Sequence, residues 1–305
     1  MIETRAIEDV QPLTHQLDVA TMLTTPPPRR SWLLPGLPVG RVGLLVAPGA
    51  TGKSTLLLQI AVAQCLGRSW PWPDAGGEPT PSRRVLYLAG EDDEVDLHWR
   101  LHRIAATLEL DADQRALLAA NLDLRPIHGL RLAEPARFEA NGEILPSRLA
   151  LELAEEGGWQ LIIADPLARL ARFSEVDSGQ ATQVVETFEL LARATKAAVI
   201  AAHHVSKAAM RDGALDAQHA ARGAAALTDG VRWQANLVTM PKTVADGIGL
   251  DDEERRRWKQ LGLPKANLIG PQPVVWLYAG DGGVLQVATP PASISTRTRK
   301  EKAWF

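Results

Sequence analysis

Apolar positions along this chain fall into short continuous runs separated by segments of helical period. Residues 42–47 form the first run, apolar throughout and bounded by turn residues, which predicts a strand buried on both faces. After a glycine turn, residues 54–66 carry apolar side chains at helical spacing. Residues 85–89, 161–164 and 198–202 repeat the buried-strand pattern. Between them, 94–108, 111–120, 147–156 and 183–196 read as helices, and 122–127 as a further strand. Alternating strands and helices predict a mostly parallel sheet covered on both faces, an α/β fold. Later the rhythm changes. Residues 232–240, 274–277 and 282–287 read as strands, with a charged helix over 251–261 between them, so a β-rich C-terminal extension is expected.

Proline and charge set the outer limits of this core. Pro26, Pro27, Pro28, Pro35 and Pro38 block helix continuation, so residues 1–38 are expected to form an arm, either loose or docked on a neighbouring subunit. Residues 67–82, with Trp70, Trp72 and several prolines, have loop composition. The expected organisation is an arm over 1–38, a core domain over 39–290 and a basic tail over 291–305. The 305 residues include 33 Lys+Arg against 36 Asp+Glu, a formal charge of −3. With 46% hydrophobic and 23% charged residues, wholesale disorder and a uniformly basic wrapping protein are excluded. A basic cleft or ring channel remains compatible with that balance. The apolar runs are far too short to span a bilayer, and the polar N-terminus lacks the apolar core of a secretory signal. The expected location is the cytoplasm, with no membrane partner. The single cysteine, Cys65, excludes an intramolecular disulfide and a Cys-rich zinc module.

The turn between the first strand and its helix carries the strongest chemistry. Ala47-Pro48-Gly49-Ala50-Thr51-Gly52-Lys53-Ser54-Thr55 matches the phosphate-loop pattern G-x-x-x-x-G-K-[ST], with Ala47 in place of the first glycine. Glycines let backbone N–H groups curl around phosphate oxygens, and the helix N-terminus attracts the anion. Lys53 is placed to reach the β- and γ-phosphates of a nucleoside triphosphate, and the Ser54 hydroxyl to ligate Mg²⁺.

Carboxylates end two other strands. Asp165, after 161–164, is a candidate Mg²⁺ residue of the Walker-B kind; a capping role in the Asp165-Pro166 turn competes. Glu91, after 85–89, is a candidate base for the attacking water, while Asp92, Asp93 and Glu94 suit a helix N-terminus. His203 and His204 end the strand at 198–202, where a polar side chain can sense the γ-phosphate; no third ligand at metal spacing accompanies them. Two stretches are candidate DNA contacts. One follows Asp165 and holds Arg169, Arg172 and Phe173. The other, 207–222, is rich in Ala and Gly and holds Lys207, Arg211 and Arg222; for both, a solvated surface loop is the competing reading.

Taken together, these motifs and the run Arg222-Gly-Ala-Ala-Ala-Leu-Thr-Asp-Gly-Val-Arg232-Trp-Gln closely resemble the plasmid-encoded hexameric replicative helicases of the RepA type, RecA/DnaB-like motors. The resemblance runs from about Leu34 to Pro290 and includes 251–256, 264–267 and 281–285. It implies a RecA-like core, a homo-hexameric ring, and ATP- and Mg²⁺-dependent unwinding of DNA by translocation on single strands. By position it implies that Lys53 and Ser54 bind phosphate and metal, Glu91 activates water, Asp165 is the Walker-B carboxylate and His204 senses the γ-phosphate. Arg232 matches the arginine finger that completes a neighbour's site, with Arg222 as its rival. Primase and initiator would be separate chains. Alternatives are a RecA-like recombinase or regulatory ATPase that binds DNA without unwinding it, a helicase loader without motor activity, and a small-molecule kinase.

Overall fold

The structure is a computed structural model that describes residues 16–28, 30, 32–72, 81–136, 142–205, 215 and 225–292. It divides into two units, Met1–Ser31 and Trp32–Phe305. Among its described residues the first contains one short helix, α1 (Val19–Thr24), started by Asp18, whose carboxylate accepts from the Thr21 N–H at 3.1 Å.

In the second unit a small hairpin, β1 (Trp32–Leu34) with β2 (Leu37–Pro38), precedes the central strand β3 (Val42–Pro48) and helix α2 (Lys53–Cys65). Then come β4 (Val85–Ala89), α3 (Glu94–Thr107), α4 (Ala112–Asn121) and β5 (Leu122–Pro126). A second hairpin, β6 (Ala133–Pro135) with β7 (Ile144–Pro146), leads to α5 (Arg148–Glu156) and β8 (Leu161–Asp165). Next are α6 (Leu167–Leu170), α7 (Ser178–Thr195), β9 (Ala198–Val205) and α8 (Ala225–Gly230). The last described elements are β10 (Trp233–Thr239), α9 (Lys242–Ile248), α10 (Asp252–Arg257), β11 (Trp258–Ala266), β12 (Val275–Ala279) and β13 (Leu285–Val287).

Among the described residues one nine-stranded sheet dominates, in the order β13-β12-β11-β10-β3-β9-β8-β4-β5. The six strands from β10 to β5 are parallel; β11, β12 and β13 extend the sheet antiparallel. This is the expected α/β architecture with a β-rich C-terminal extension. Apolar side chains fill both faces. Leu45, Ile163 and Ile200 pack with α2, α3 and α4 on one side, and Leu44, Ile162 and Val199 pack with α5 and α7 on the other. Burial on both faces explains why the parallel strands read as unbroken apolar runs rather than alternating ones.

The hairpin β6–β7 and helices α6 and α9 are not expected from the sequence, and three further segments depart from its reading for clear physical reasons. The helix expected over 251–261 stops at Arg257, and Trp258 opens β11. The acid-then-base run suits a single helical turn and its dipole, with Asp251 as cap, and the charges mask the strand behind it. Trp258 and Leu261 are buried between β10 and β12, which outweighs the local helical pattern. The helix expected from 183 begins at Ser178, because the Asp177 carboxylate accepts from the Gly179 and Gln180 N–H groups. Residues 32–38, assigned to the arm by their prolines, carry Leu33, Leu34 and Leu37 into the core, where the Pro35 carbonyl accepts from the Trp233 indole at 2.8 Å.

Candidate active site

The parallel strands β3, β4, β8 and β9 end along one edge of the sheet, so the residues that follow them converge. Strand β3 lies between β9 and β10, both of which follow β4 and β8 in sequence. Such crossover points leave a crevice beyond the C-terminal strand ends, where α/β proteins bind ligands. The turn after β3 meets that demand locally. Ala50 and Gly52 have φ of +61° and +97°, and α2 begins at Lys53 without a side-chain cap. Its first N–H groups therefore point outward with no side chain to accept them. Thr51 braces the turn through its hydroxyl, which donates to the Pro48 carbonyl at 2.8 Å. Ala47 is still part of β3, paired with His204 and buried, so this loop needs no glycine there.

Two buried groups at the centre lack partners among the described residues. Lys53 is 3% exposed, and its Nζ makes no hydrogen bond. Asp165 is 4% exposed; its Oδ2 accepts from the Tyr87 hydroxyl at 2.7 Å, but its Oδ1 has no donor. Burial pulls Lys53 down to about 8, against the opposing pull of Asp165 and Glu91. Leaving a cation and a carboxylate oxygen buried and unpaired is costly in a resting protein. It is the expected state of a site built to be completed by a polyanion and a cation. Ser54, half-buried in the first turn of α2, and the orphaned Asp165 oxygen are the candidate donors for Mg²⁺. One hydroxyl and one carboxylate suit this ion, which prefers phosphate and water for its remaining ligands. Among the described residues no cluster of three or more His, Cys, Asp or Glu forms an alternative metal cage.

Glu91 sits at the tip of β4 and is half exposed. Its Oε1 accepts from the Arg169 Nε at 3.0 Å. Gly90 makes that approach possible: a Cβ there would lie 2.8 Å from the Arg169 Cβ and 3.1 Å from the Leu170 Cδ2. His203 is buried, and burial, with the Lys53 charge added, lowers it to about 4, so it is neutral. His204 is exposed at the same edge, and partial burial together with Lys53 lowers it more gently. Arg172 is exposed just beyond α6, and Arg232 is exposed just before β10. The structure thus brings Lys53, Ser54, Glu91, Asp165, His204 and Arg169 to one edge. Lys207, Arg211 and Arg222 lie outside the described residues.

Two participants escaped the sequence. Tyr87 sits inside an apolar strand run and reads as core, yet its hydroxyl orients Asp165. Asp165 in turn helps to hold the Tyr87 hydroxyl protonated, after burial itself. Arg100, on α3, bonds to Asp92 at 2.9 Å and donates to the Thr55 hydroxyl at 3.2 Å, placing a second cation beside α2. A polar residue in an otherwise apolar strand was the available signal for Tyr87. Arg100 carried none, since arginines are common on exposed helices.

No helix among the described residues is long and apolar enough to cross a membrane. Comparison with known proteins adds a family. The model of the AAA domain family matches residues 9–210, two thirds of the chain. The match spans the P-loop, Glu91, Asp165 and His204, and ends before Arg222 and Arg232. Among solved structures, the chain is similar to the RadB recombinase at 14% identity and a TM-score of 0.49, covering 83% of this chain and 93% of that one. It is also similar to the ATPase domain of G40P at 13% identity and a TM-score of 0.48, covering 78% and 81%. The chain belongs to the AAA domain family and is a P-loop ATPase.

Proposed function

We propose that this chain is the subunit of an ATP-driven DNA helicase, a six-membered ring that translocates on single strands and unwinds duplex in plasmid-type replication. The observation that carries the reading past nucleotide binding is the ion pair between Glu91 and Arg169. The candidate base and a candidate DNA contact share one bond, so an event at the DNA side bears directly on hydrolysis. The motif resemblance supplies the unwinding activity and the ring.

Each residue then has a task. Lys53 neutralises the β/γ-phosphates, and the uncapped start of α2 offers its N–H groups to them. Ser54 and Asp165 would hold Mg²⁺, which would supply charge to offset the phosphate oxygens. Tyr87 keeps Asp165 aimed by occupying one of its oxygens. Glu91 orients the attacking water and takes its proton. His204 reads the γ-phosphate beside it. Arg232 of one subunit completes the next subunit's site, which ties hydrolysis to subunit movement. Arg169, Arg172, Lys207 and Arg211 face the DNA, and Arg222 is the rival finger. Primase and initiator act as separate chains.

Strand separation tests this directly. A forked duplex should open with ATP and Mg²⁺ and remain closed with a non-hydrolysable analogue. Turnover without opening would replace the helicase with a DNA-binding regulatory or recombination ATPase.

Two further outcomes are expected. Arg232→Ala should lose turnover, and mixing it with Asp165→Ala should restore part of it, because each variant supplies what the other lacks across a boundary. Rings that stay intact by mass without rescue would rule out Arg232 as the trans group. The second concerns pH. Lys53 is charged below about 8, so ATP affinity should hold through neutral pH and weaken above that value as the amine loses its proton. Titrations between pH 7 and 10 measure this; affinity that does not change over the range would show that the Lys53 charge does not hold the phosphates.

A further inference from the structure

The segment 264–267 belongs to the motif resemblance, yet the tasks above leave it unused. Its Lys265 lies on β11, opposite Gln234 of β10, beside the start of the strand that Arg232 precedes. We propose that Lys265 is a positioning residue for the trans arginine: it clamps the end of α8, so that Arg232 leaves the surface in one fixed direction. This rests on the reading of Arg232 as the group that completes a neighbour's site, and deepens it.

Arg232 lies just after α8 and directly before β10. Its side chain is exposed and, among the described residues, makes no hydrogen bond or ion pair. An arginine aimed at another subunit must be free at its tip, so its direction has to come from its backbone. Three contacts fix that backbone. The Arg232 carbonyl accepts from the Asn267 N–H at 3.3 Å. The next residue, Trp233, is buried and donates its indole N–H to the Pro35 carbonyl at 2.8 Å. Gly43 leaves room for that ring, since a Cβ there would lie 2.5 Å from the Trp233 Cε3. On the helix side, the Lys265 Nζ donates to the Thr228 carbonyl at 2.9 Å and to the Asp229 carbonyl at 3.3 Å.

The lysine contact is the one built from charge. The last carbonyls of a helix have no partner within it, and a cation suits their negative end. Both acceptors are backbone, so Lys265 holds the course of the chain rather than a neighbouring carboxylate. Burial lowers the Lys265 ammonium; Asp229 opposes that, and the Arg232 charge adds to it. The two cations are thus close enough to repel, which turns the Arg232 guanidinium away from its own subunit. Arg222 precedes α8 and Arg232 follows it, so a clamp on the last turn bears first on Arg232.

The test is a double-mutant cycle on turnover by the full chain. Lys265→Met should lower kcat by about 10²-fold, the loss expected when a catalytic group is misplaced by about 1 Å, with the ATP KM nearly unchanged. Lys265→Arg can still reach both carbonyls and should restore most of the rate. Adding Lys265→Met to Arg232→Ala should cost nothing further, because the lysine acts through the arginine. Mixing Lys265→Met with Asp165→Ala should recover turnover, whereas mixing it with Arg232→Ala should not, since both lesions lie on the same side of the boundary. Losses that multiply in the double variant would overturn the proposal and make Lys265 a group that acts on its own. So would recovery on mixing with Arg232→Ala, parental turnover by Lys265→Met, or a fall in its assembly mass. The Arg232 reading fails separately: Arg232→Ala would then turn over as the parent does.

Discussion

Replacing Lys53 by Met is expected to abolish ATP turnover and, at the same time, to raise the melting temperature of the nucleotide-free protein. Both effects come from one feature, a cation that is 3% exposed and has no hydrogen-bond partner among the described residues. Burial holds its pKa at about 8 against an ordinary 10.5. That difference corresponds to about 3 kcal/mol of strain on the charged form in the folded chain. The sign is clear: the penalty is fully present below pH 8 and fades as pH rises from 8 towards 10.5, where both folded and unfolded chains lose the proton. Methionine fills similar space without charge, so the resting fold gains. ATP binding loses the only side-chain cation in the loop itself. Calorimetric melting at pH 7 and a turnover assay measure the two halves. A variant that melts lower than the parent would show that the Lys53 charge is compensated in the resting protein.

Glu91→Gln is expected to lower turnover by about 10²- to 10⁴-fold while leaving ATP binding nearly unchanged, the usual range for loss of a positioned base. Glutamine keeps the size and can still occupy the place beside Arg169, but it cannot take a proton. Glu91 is half exposed, so the change adds no buried defect, and stability should stay within about 0.5 kcal/mol. Comparing single-turnover hydrolysis with ATP affinity separates chemistry from binding. A loss of affinity equal to the loss of rate would make Glu91 a binding residue instead.

Much of this architecture was legible in the residues. Parallel strands buried on both faces have no choice but to read as apolar runs, and a polar residue ending such a run must lie at the sheet edge. That logic puts Glu91, Asp165 and His204 beside the phosphate loop, which is where they lie. What stayed hidden depends on partners distant in sequence. The bond from Tyr87 to Asp165 joins neighbouring strands 78 residues apart in sequence. The contact of Arg100 with Thr55 needs α3 to cross beside α2. The strand at Trp258 was masked by seven charged residues, 251–257, whose local preference is helical and whose tertiary context is not. The hairpin over 32–38 was masked by prolines, although its three leucines are core. Local pattern reports the faces of elements, while the pairing that aims the Asp165 carboxylate is a long-range property.

The proposed function requires a DNA-stimulated ATPase that works as a ring. The most direct measurement is ATP hydrolysis with and without single-stranded DNA, with assembly mass read on the same sample. Turnover that rises with DNA, from a species of six subunits, is the predicted result. Turnover indifferent to DNA, from a monomer, would contradict the motor while leaving the nucleotide site in place.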